Sequence, residues 1–333
     1  MLADVLAELS GWPAGAEPAG GPARLDDVRG QLEAAAAEAV GVGGWTECEP
    51  LRLSKASVTW LVRCPRRAVA PAEVDTSDEL VLGSIIDAAA KLAALGARRP
   101  ITAETALAYL DALGDSVAAD HLAAAGPGAG ALMAEAQERV DRLVAAWPAV
   151  EPAWWPRVEE PARVRLAGGA ITVTGRLDAL LGGPPTGRPG VVVEVKGGRW
   201  YDGMRGDAHL YALLVALRDG EAPARVVTLV ADGTTQVEPI RPALIEHAAE
   251  RVEAAISEAA RLAAGEVAEA RPGSYCGHCP VRADCSVAAG ASAATPAEPS
   301  AVPLAAPLDP EPAASPLAAA RAGAEAVPVE VSP

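Results

Sequence analysis

The sequence predicts an α/β fold in which a mixed β-sheet is flanked by helices, and three observations support this class. The first half of the chain has apolar residues at helical spacing among good helix formers. After Pro156 the pattern changes to short β-branched runs bounded by glycine. These runs then alternate with two further helical segments, a pattern typical of helices packed on a sheet.

Each predicted element has its own local signal. Apolar periodicity predicts the helices, and a glycine pair at Gly168–Gly169 splits one long β-branched run into two strands of a hairpin. The predicted helices span residues 25–40, 77–95, 101–113, 131–147, about 202–218 and about 241–264, and the predicted strands lie within 163–181, 190–198 and 224–231.

Composition predicts one main domain with tails. A chain of 333 residues that is 50% hydrophobic can bury a large core. Residues 1–44 are predicted to be an acidic, partly flexible segment with one helix, rich in Pro, Gly and Ala over 11–23. Residues 45–287 form the predicted domain, and the Ala- and Pro-rich residues 288–333 form a predicted disordered tail.

The net charge of −16 argues against a nucleic-acid partner only on average. The stretch RLSKASVTWLVRCPRR, residues 52–67, contains five basic residues and no acidic residue. We predict that Arg63, Arg66 and Arg67 of this basic strip contact phosphates, and the alternative is a solvated helix face.

The beginning of the chain predicts a cytoplasmic protein without a membrane partner. Asp4 and Glu8 lie where a secretory peptide would carry basic residues, and no uncharged run reaches the roughly 20 apolar residues of a membrane span. In a reducing cytoplasm, clustered cysteines are more often metal ligands than disulfides.

Three cysteines, Cys276, Cys279 and Cys285, form a C-x2-C-x5-C array late in the chain. A tetrahedral metal site or an iron–sulfur cluster needs four thiolates, and Cys48 and Cys64 are the other two cysteines. The array has one close pair rather than the two of structural zinc sites, which favours iron–sulfur over zinc.

A second candidate site lies on the predicted strands. Asp178 ends one run, and Glu194 and Lys196 share one face of the next. Carboxylates hold hard cations such as Mg²⁺, and a metal-bound water is a strong nucleophile. Lys196 is notable because the chain has only three lysines, Lys55, Lys91 and Lys196. The alternative is a surface charge pair.

These stretches together resemble a known family. The ordered series LSKASVTWLVRCPRR, LVLGSIID, VTGRLDALL, VVVEVKGG, HLYALL and YCGHCPVRADC is similar to the RecB-like branch of the PD-(D/E)XK nuclease superfamily. Within that branch it resembles the iron–sulfur members, such as the AddB nuclease domain and the CRISPR adaptation nucleases. The resemblance covers about residues 51–286.

The resemblance implies a PD-(D/E)XK-like sheet, two cofactors and their ligands. Asp178 and Glu194 would hold Mg²⁺ or Mn²⁺, and Lys196 would assist the attacking water. A [4Fe-4S] cluster would join one upstream cysteine to three downstream ones as a staple between distant parts of the chain. Cys64, in the context CPRR, would be the fourth ligand, and Cys48 a free thiol.

The sequence departs from the family pattern at two positions. Asp87 stands where the family usually has a metal-binding His, and we predict it to be a metal ligand, with an exposed helix residue as the alternative. Asp207 stands at the Gln of the Q-x-x-x-Y motif and is most simply a solvated charge, whereas Tyr211 is retained. Tyr211 is predicted to be catalytic, with a core aromatic as the alternative.

We therefore expect a metal-dependent DNA nuclease that acts on single strands or ends in repair, recombination or defence. Two alternatives stay open: an iron–sulfur DNA-binding module with a decayed active site, and a redox or electron-transfer protein. No phosphate-binding G-x-x-x-x-G-K-[ST] motif surrounds any lysine, so a motor function would need a helicase or recombination partner.

Overall fold

The computed structural model describes residues 2–11, 24–70, 76–97, 100–198, 200, 203–285 and 287. A six-stranded mixed sheet lies at the centre, and helices cover both of its faces. The strands are β1 (Leu51–Leu53), β2 (Arg157–Leu166), β3 (Ile171–Gly183), β4 (Arg188–Lys196), β5 (Arg225–Val230) and β6 (Thr235–Pro239). The helices are α1 (Leu2–Ser10), α2 (Leu25–Gly43), α3 (Lys55–Arg63), α4 (Pro65–Ala68), α5 (Asp78–Ala94), α6 (Ala103–Ala112), α7 (Val117–Ala125), α8 (Ala129–Ala146), α9 (Gly203–Asp219) and α10 (Pro242–Ala263).

The strand order is β1-β3-β4-β5-β6, and β2 also pairs with β3. The pairs β2–β3, β3–β4 and β5–β6 are antiparallel, whereas β1–β3 and β4–β5 are parallel. The run VVVEV of β4 is buried on both faces, which is typical of a central strand with helices on each side.

Two hydrophobic cores lie on opposite faces of the sheet. Val192 of β4 faces a core built with α2, α3, α9 and α10. Val191, Val193 and Val195 face the other core, built with α1, α5, α6, α7 and α8. Because side chains alternate along a strand, Glu194 and Lys196 lie on the α3 and α9 face.

The predicted α/β class with a mixed sheet and flanking helices is confirmed. The six predicted helices correspond to α2, α5, α6, α8, α9 and α10, and the predicted hairpin is formed by β2 and β3. Short elements such as β1, β6 and α7 were not predicted, since a few residues carry little periodicity.

The N-terminal segment contains two helices rather than the predicted one. Leu2, Val5, Leu6 and Leu9 of α1 are buried in the core that Val191 and Val193 face, where α1 packs against β4, and α2 packs along α10. The predicted tail 288–333, and all but Gly11 of the predicted flexible stretch 11–23, lie outside the described residues. None of the described helices is both long and apolar enough to span a membrane.

Candidate active site

Glu194 of β4 is the centre of a buried cluster of charges. Its Oε1 accepts hydrogen bonds from Lys196 Nζ at 2.5 Å and from Lys55 Nζ at 2.8 Å. Its Oε2 is buried and has no hydrogen-bond partner among the described residues. Burial alone would raise the pKa of Glu194, but Lys196 and Lys55 outweigh burial and lower this pKa to about 2.

Lys55 lies in the cluster because it is the first residue of α3, directly after the N-cap Ser54. The Ser54 side chain accepts a hydrogen bond from Ser57 N at 3.1 Å, which ends β1 and starts the helix. The Lys55 ammonium lies 4.8 Å from the centre of the Tyr211 ring. Burial lowers the pKa of Lys55, but Glu194, Asp207 and Asp178 raise it well above its ordinary value.

Asp178 lies where β3 and β4 separate. The regular pairing of these strands runs from Ala179 opposite Val193 toward Gly183, so it stops beside Asp178. There Val195 N donates a hydrogen bond to Asp178 Oδ2 at 2.6 Å. Burial, then the charges of Glu194 and Asp87, raise the pKa of Asp178 well above its usual range. The predicted pair Asp178 and Glu194 therefore does come together.

Asp207 of α9 is buried in this cluster, so the interpretation of it as a solvated charge is wrong. Its Oδ1 accepts a hydrogen bond from Thr59 Oγ1 at 3.2 Å. Its Oδ2 lies 3.7 Å from Lys196 Nζ and 4.0 Å from Lys55 Nζ. We call Lys55, Asp178, Glu194, Lys196 and Asp207 the carboxylate–lysine site.

Tyr211 lies one turn after Asp207 on the same face of α9. It is buried against β3, where a Cβ atom on Gly175 would lie 2.5 Å from the Tyr211 ring. Glycine at this position thus leaves the space that the ring fills. Burial, then Glu194 and Asp178, raise the pKa of the Tyr211 hydroxyl well above its ordinary value, so this group is a phenol at neutral pH.

Asp87 lies at the edge of the site, on α5. A Cβ atom on Gly197 would lie 2.8 Å from Gly83 Cα, so only two glycines allow α5 to approach the end of β4 this closely. Asp87 Oδ2 forms an ion pair with Lys91 Nζ at 2.5 Å, and its side chain is 35% exposed. Burial raises the pKa of Asp87, and Lys91 opposes that rise.

Lys91 also forms an ion pair with Glu159 of β2, which in turn contacts Arg176. Glu159 has a φ of 53°, in the left-handed region that is uncommon for a residue with a side chain. Glu159 lies opposite Asp178, and these two residues are the pair that is missing from the regular β2–β3 pairing. Strained backbone of this kind is often found at functional sites.

The residues fit a divalent cation by the chemistry of their donors. Carboxylate oxygens are the preferred ligands of Mg²⁺, which commonly keeps several waters and takes only one or two carboxylates from a protein. Glu194 Oε2 is such an oxygen, buried and without a partner among the described residues. No three His, Cys, Asp or Glu side chains of the described residues converge closely enough to hold a metal ion.

The site contains residues that the sequence did not identify. All three lysines of the chain lie here, Lys55 and Lys196 on Glu194 and Lys91 on Asp87. The scarcity of lysine, which was used only for Lys196, was the signal that could have found the other two.

The cysteine array forms a second candidate site, which we call the cysteine loop, residues 273–285. Successive hydrogen bonds run from Cys276 N to Gly273 O, Cys279 N to Cys276 O, Arg282 N to Cys279 O and Cys285 N to Arg282 O. Only Ser274–His278 form a 3₁₀ turn, and the backbone is extended at Cys279, so helical periodicity does not continue from Cys276 to Cys285.

Hydrogen bonds dock the cysteine loop and the segment before it onto α3 and α4. The Tyr275 hydroxyl lies 2.8 Å from the carbonyl oxygens of both Arg63 and Arg271 and can donate its one proton to either. Arg271 donates to Val62 O at 2.8 Å, and Arg66 donates to Asp284 O at 2.9 Å. The loop therefore lies against Cys64, which is buried between α3 and α4.

Cys64 and Cys276 affect the pKa values of their neighbours Tyr275 and Cys279, although no three thiols of the described residues converge closely enough to hold a metal ion. Burial, then Cys64 and Cys276, raise the pKa of Tyr275 to about 12, and burial with the same two thiols raises the pKa of Cys279. Four thiols are the right donor type for an iron–sulfur cluster or zinc. Cys48 is exposed, and none of the five cysteines forms a disulfide.

The three arginines predicted to contact phosphates, Arg63, Arg66 and Arg67, differ in their contacts. Arg63 lies over the Tyr275 ring at 4.6 Å, and Arg67 lies over the Trp60 ring at 5.3 Å. Arg66 instead donates to the Asp284 carbonyl. Arg63 and Arg67 thus present guanidinium groups stacked on aromatic rings beside the cysteine loop, and Arg66 helps to hold the loop.

Comparison with known proteins found a family match and solved structures of low similarity. The family model of the PD-(D/E)XK nuclease superfamily matches residues 52–286, which include both candidate sites. The solved structure of the protein SSO0001 is 14% identical with a TM-score of 0.33, and the match covers 77% of this chain and 94% of that one. A protein of Eubacterium rectale, named as a candidate exonuclease, is 14% identical with a TM-score of 0.43, covering 70% and 87% of the two chains. No curated protein sequence matches this chain.

Proposed function

This chain belongs to the PD-(D/E)XK nuclease superfamily, and on that premise we propose that it is a metal-dependent DNA nuclease with an iron–sulfur staple. The observation that carries the proposal is the convergence of Asp178, Glu194 and Lys196 at the point where β3 and β4 separate. The two carboxylates and the ammonium group of these residues lie close together in the sheet, and such a set of groups suits metal-dependent hydrolysis of a phosphodiester.

Asp178 and Glu194 are the residues that would hold Mg²⁺ or Mn²⁺. The bound cation would supply an activated water and would stabilise negative charge on the phosphate. Lys196, held against Glu194 Oε1, would present a compact positive charge to the attacking water or to a phosphate oxygen. Asp87 lies close enough to affect the pKa of Asp178, which supports a role as an additional ligand. Tyr211 would donate a hydrogen bond from its phenol to the substrate.

The substrate we propose is a DNA single strand or end. Arg63 and Arg67, stacked on Tyr275 and Trp60, are suited to phosphate contacts, and Arg66 would add positive charge nearby.

A [4Fe-4S] cluster would tie the end of α3 to the cysteine loop, held by the four thiols of Cys64, Cys276, Cys279 and Cys285. Such a link closes a very long loop and so removes conformational entropy from the unfolded chain.

The test is cleavage of labelled single- and double-stranded DNA by protein purified without oxygen, with Mg²⁺ or Mn²⁺ added. We expect metal-dependent cleavage that EDTA abolishes, and a brown protein with about four irons per chain. Absence of cleavage on every substrate would contradict the nuclease, and stoichiometric zinc without iron would contradict the cluster.

One observation favours a second candidate, a DNA-binding module with a decayed active site. Two lysines occupy Glu194 Oε1, and Asp207 adds a carboxylate beside them, so the charges of the cluster balance one another internally. Under this alternative the protein binds DNA and keeps its iron but binds no Mn²⁺ at Glu194. Calorimetric titration with Mn²⁺ separates the two functions.

A further inference from the structure

The two oxygens of the Glu194 carboxylate have opposite surroundings. Oε1 accepts from Lys55 and Lys196, and a carboxylate oxygen has two lone pairs, so both are engaged. Oε2 is buried without a hydrogen-bond partner among the described residues. A buried acceptor without a hydrogen-bond partner costs free energy, and a cation bound to Oε2 would remove that cost.

A divalent cation at Glu194 would lie beside two ammonium groups. Like charges a few ångströms apart repel strongly in a partly buried site. Lys196 shares β4 with Glu194 and comes only two residues later, so its ammonium is tied to the same strand. The two lysine side chains are about equally exposed, at 19% and 17%, but Lys55 comes from a separate element, α3, and its hydrogen bond to Oε1 is the longer one, 2.8 Å against 2.5 Å. Lys55 is therefore the ammonium group that can move away.

We propose that Lys55 is a resident counter-cation, which Glu194 releases when a divalent metal binds and which Asp207 then receives. This inference rests on the proposed metal-dependent nuclease and assigns it a positioning residue. Lys55 holds the metal-free carboxylate in place, and its departure from Glu194 is part of the cost of metal binding.

Asp207 is placed to receive the displaced ammonium over a short path. Its Oδ2 lies 4.0 Å from Lys55 Nζ, just beyond a hydrogen bond. Its Oδ1 is fixed by Thr59 at 3.2 Å, so the carboxylate does not have to reorient. The Tyr211 ring lies 4.8 Å from the ammonium, and so short a displacement would leave the ammonium near this ring.

The test measures Mn²⁺ binding by calorimetry in the absence of DNA, so it does not depend on cleavage. Lys55→Met removes the competing charge and keeps the apolar stem, and we expect it to tighten Mn²⁺ binding by about tenfold or more. Lys55→Arg keeps the charge and should bind Mn²⁺ no more tightly than the wild type. Thermal unfolding checks that each variant is folded, and Lys55→Gln replaces Lys55→Met if the latter is not.

Asp207→Asn gives a second arm with the opposite sign. It removes the group that receives Lys55, so Mn²⁺ binding should weaken by about tenfold. Simple loss of a nearby negative charge would weaken binding equally with or without Lys55. If Asp207 acts by receiving Lys55, its effect shrinks in the Lys55→Met background, and a double-mutant cycle measures this coupling.

The outcomes separate this inference from the proposed function. Equal Mn²⁺ affinity in the wild type and Lys55→Met, or an undiminished Asp207→Asn effect in that background, overturns the role of Lys55 and leaves the nuclease standing. No Mn²⁺ binding in any folded variant overturns the metal-dependent nuclease itself.

Discussion

The carboxylate–lysine site and the cysteine loop are held together by different means. In the first, buried charges on β3, β4, α3 and α9 satisfy one another, and hydrophobic cores lie on both faces of the sheet. In the second, an irregular segment is attached to α3 and α4 mainly through hydrogen bonds to carbonyl oxygens. The first arrangement specifies positions through packing, whereas the second needs an added link to be rigid.

One helix joins the two regions. α3 begins with Lys55 in the carboxylate–lysine site and ends at Cys64, its C-terminal cap, beside the cysteine loop. Cys64 comes nine positions after Lys55, which corresponds to roughly 14 Å along the helix axis. A change at the cysteine end can therefore shift Lys55 relative to Glu194. The proposed cluster would therefore act on catalysis by holding α3 in place.

The largest expected effect isolates the carboxylate–lysine site. Asp178→Asn should reduce cleavage by roughly 10³-fold or more, because an amide is a poor ligand for a hard cation. Stability should be unchanged or higher, since burial already favours an uncharged side chain at this position. Cleavage rates and thermal unfolding measure the two effects. Asp111→Asn is the matched control, because Asp111 is exposed on α6. If Asp178→Asn cleaved DNA within a few-fold of the wild-type rate, Asp178 would be excluded as a metal ligand.

The fold was predictable because its main elements carry strong local signals. The β-branched runs of β3, β4 and β5, and the apolar periodicity of α5, α8 and α10, determine the sheet and both of its helical layers. β1 and β6 were not predicted, because three and five residues are too few to show a period.

The site was predictable only where its residues share a short motif. Glu194 and Lys196 are two residues apart, so strand alternation alone places them together. Lys55 reaches Glu194 across a separation of 139 residues, a contact that no local pattern encodes. Asp207 looked like a surface charge because its partners Thr59 and Lys55 lie on a distant helix.

The next effect isolates the cysteine loop. Cys64→Ser should remove the iron and lower the free energy of unfolding by several kcal/mol, because metal binding contributes directly to folding. Cys48→Ser is the matched control, since Cys48 is exposed and should change neither quantity. Iron content, visible absorbance and thermal unfolding provide the readouts. Retention of all the iron in Cys64→Ser would mean that the fourth ligand lies elsewhere.

A smaller effect is expected where the two regions meet on α3. Arg63→Ala and Arg67→Ala should each weaken DNA binding several-fold for all sequences. Each should also reduce, by about one, the slope of the logarithm of the binding constant against the logarithm of the salt concentration. Arg66→Ala is the comparison, because its guanidinium is engaged by the Asp284 carbonyl. We expect it to destabilise the cysteine loop with a smaller change in slope. Fluorescence anisotropy across salt concentrations measures all three, and unchanged slopes for Arg63→Ala and Arg67→Ala would remove the basic strip from the DNA interface.

The smallest effect concerns Asp87, at the edge of the carboxylate–lysine site. Its ion pair with Lys91 and its partial exposure leave it a weaker ligand than Glu194, so Asp87→Ala should raise the Mn²⁺ concentration for half-maximal cleavage only a few-fold. Asp87→His restores a metal-binding side chain and should return that concentration toward the wild-type value or below it. Asp78→Ala is the control, because Asp78 lies on the same helix with a 72% exposed side chain. An Asp87→Ala enzyme with the wild-type metal requirement would show that Asp87 serves only to hold Lys91 against Glu159.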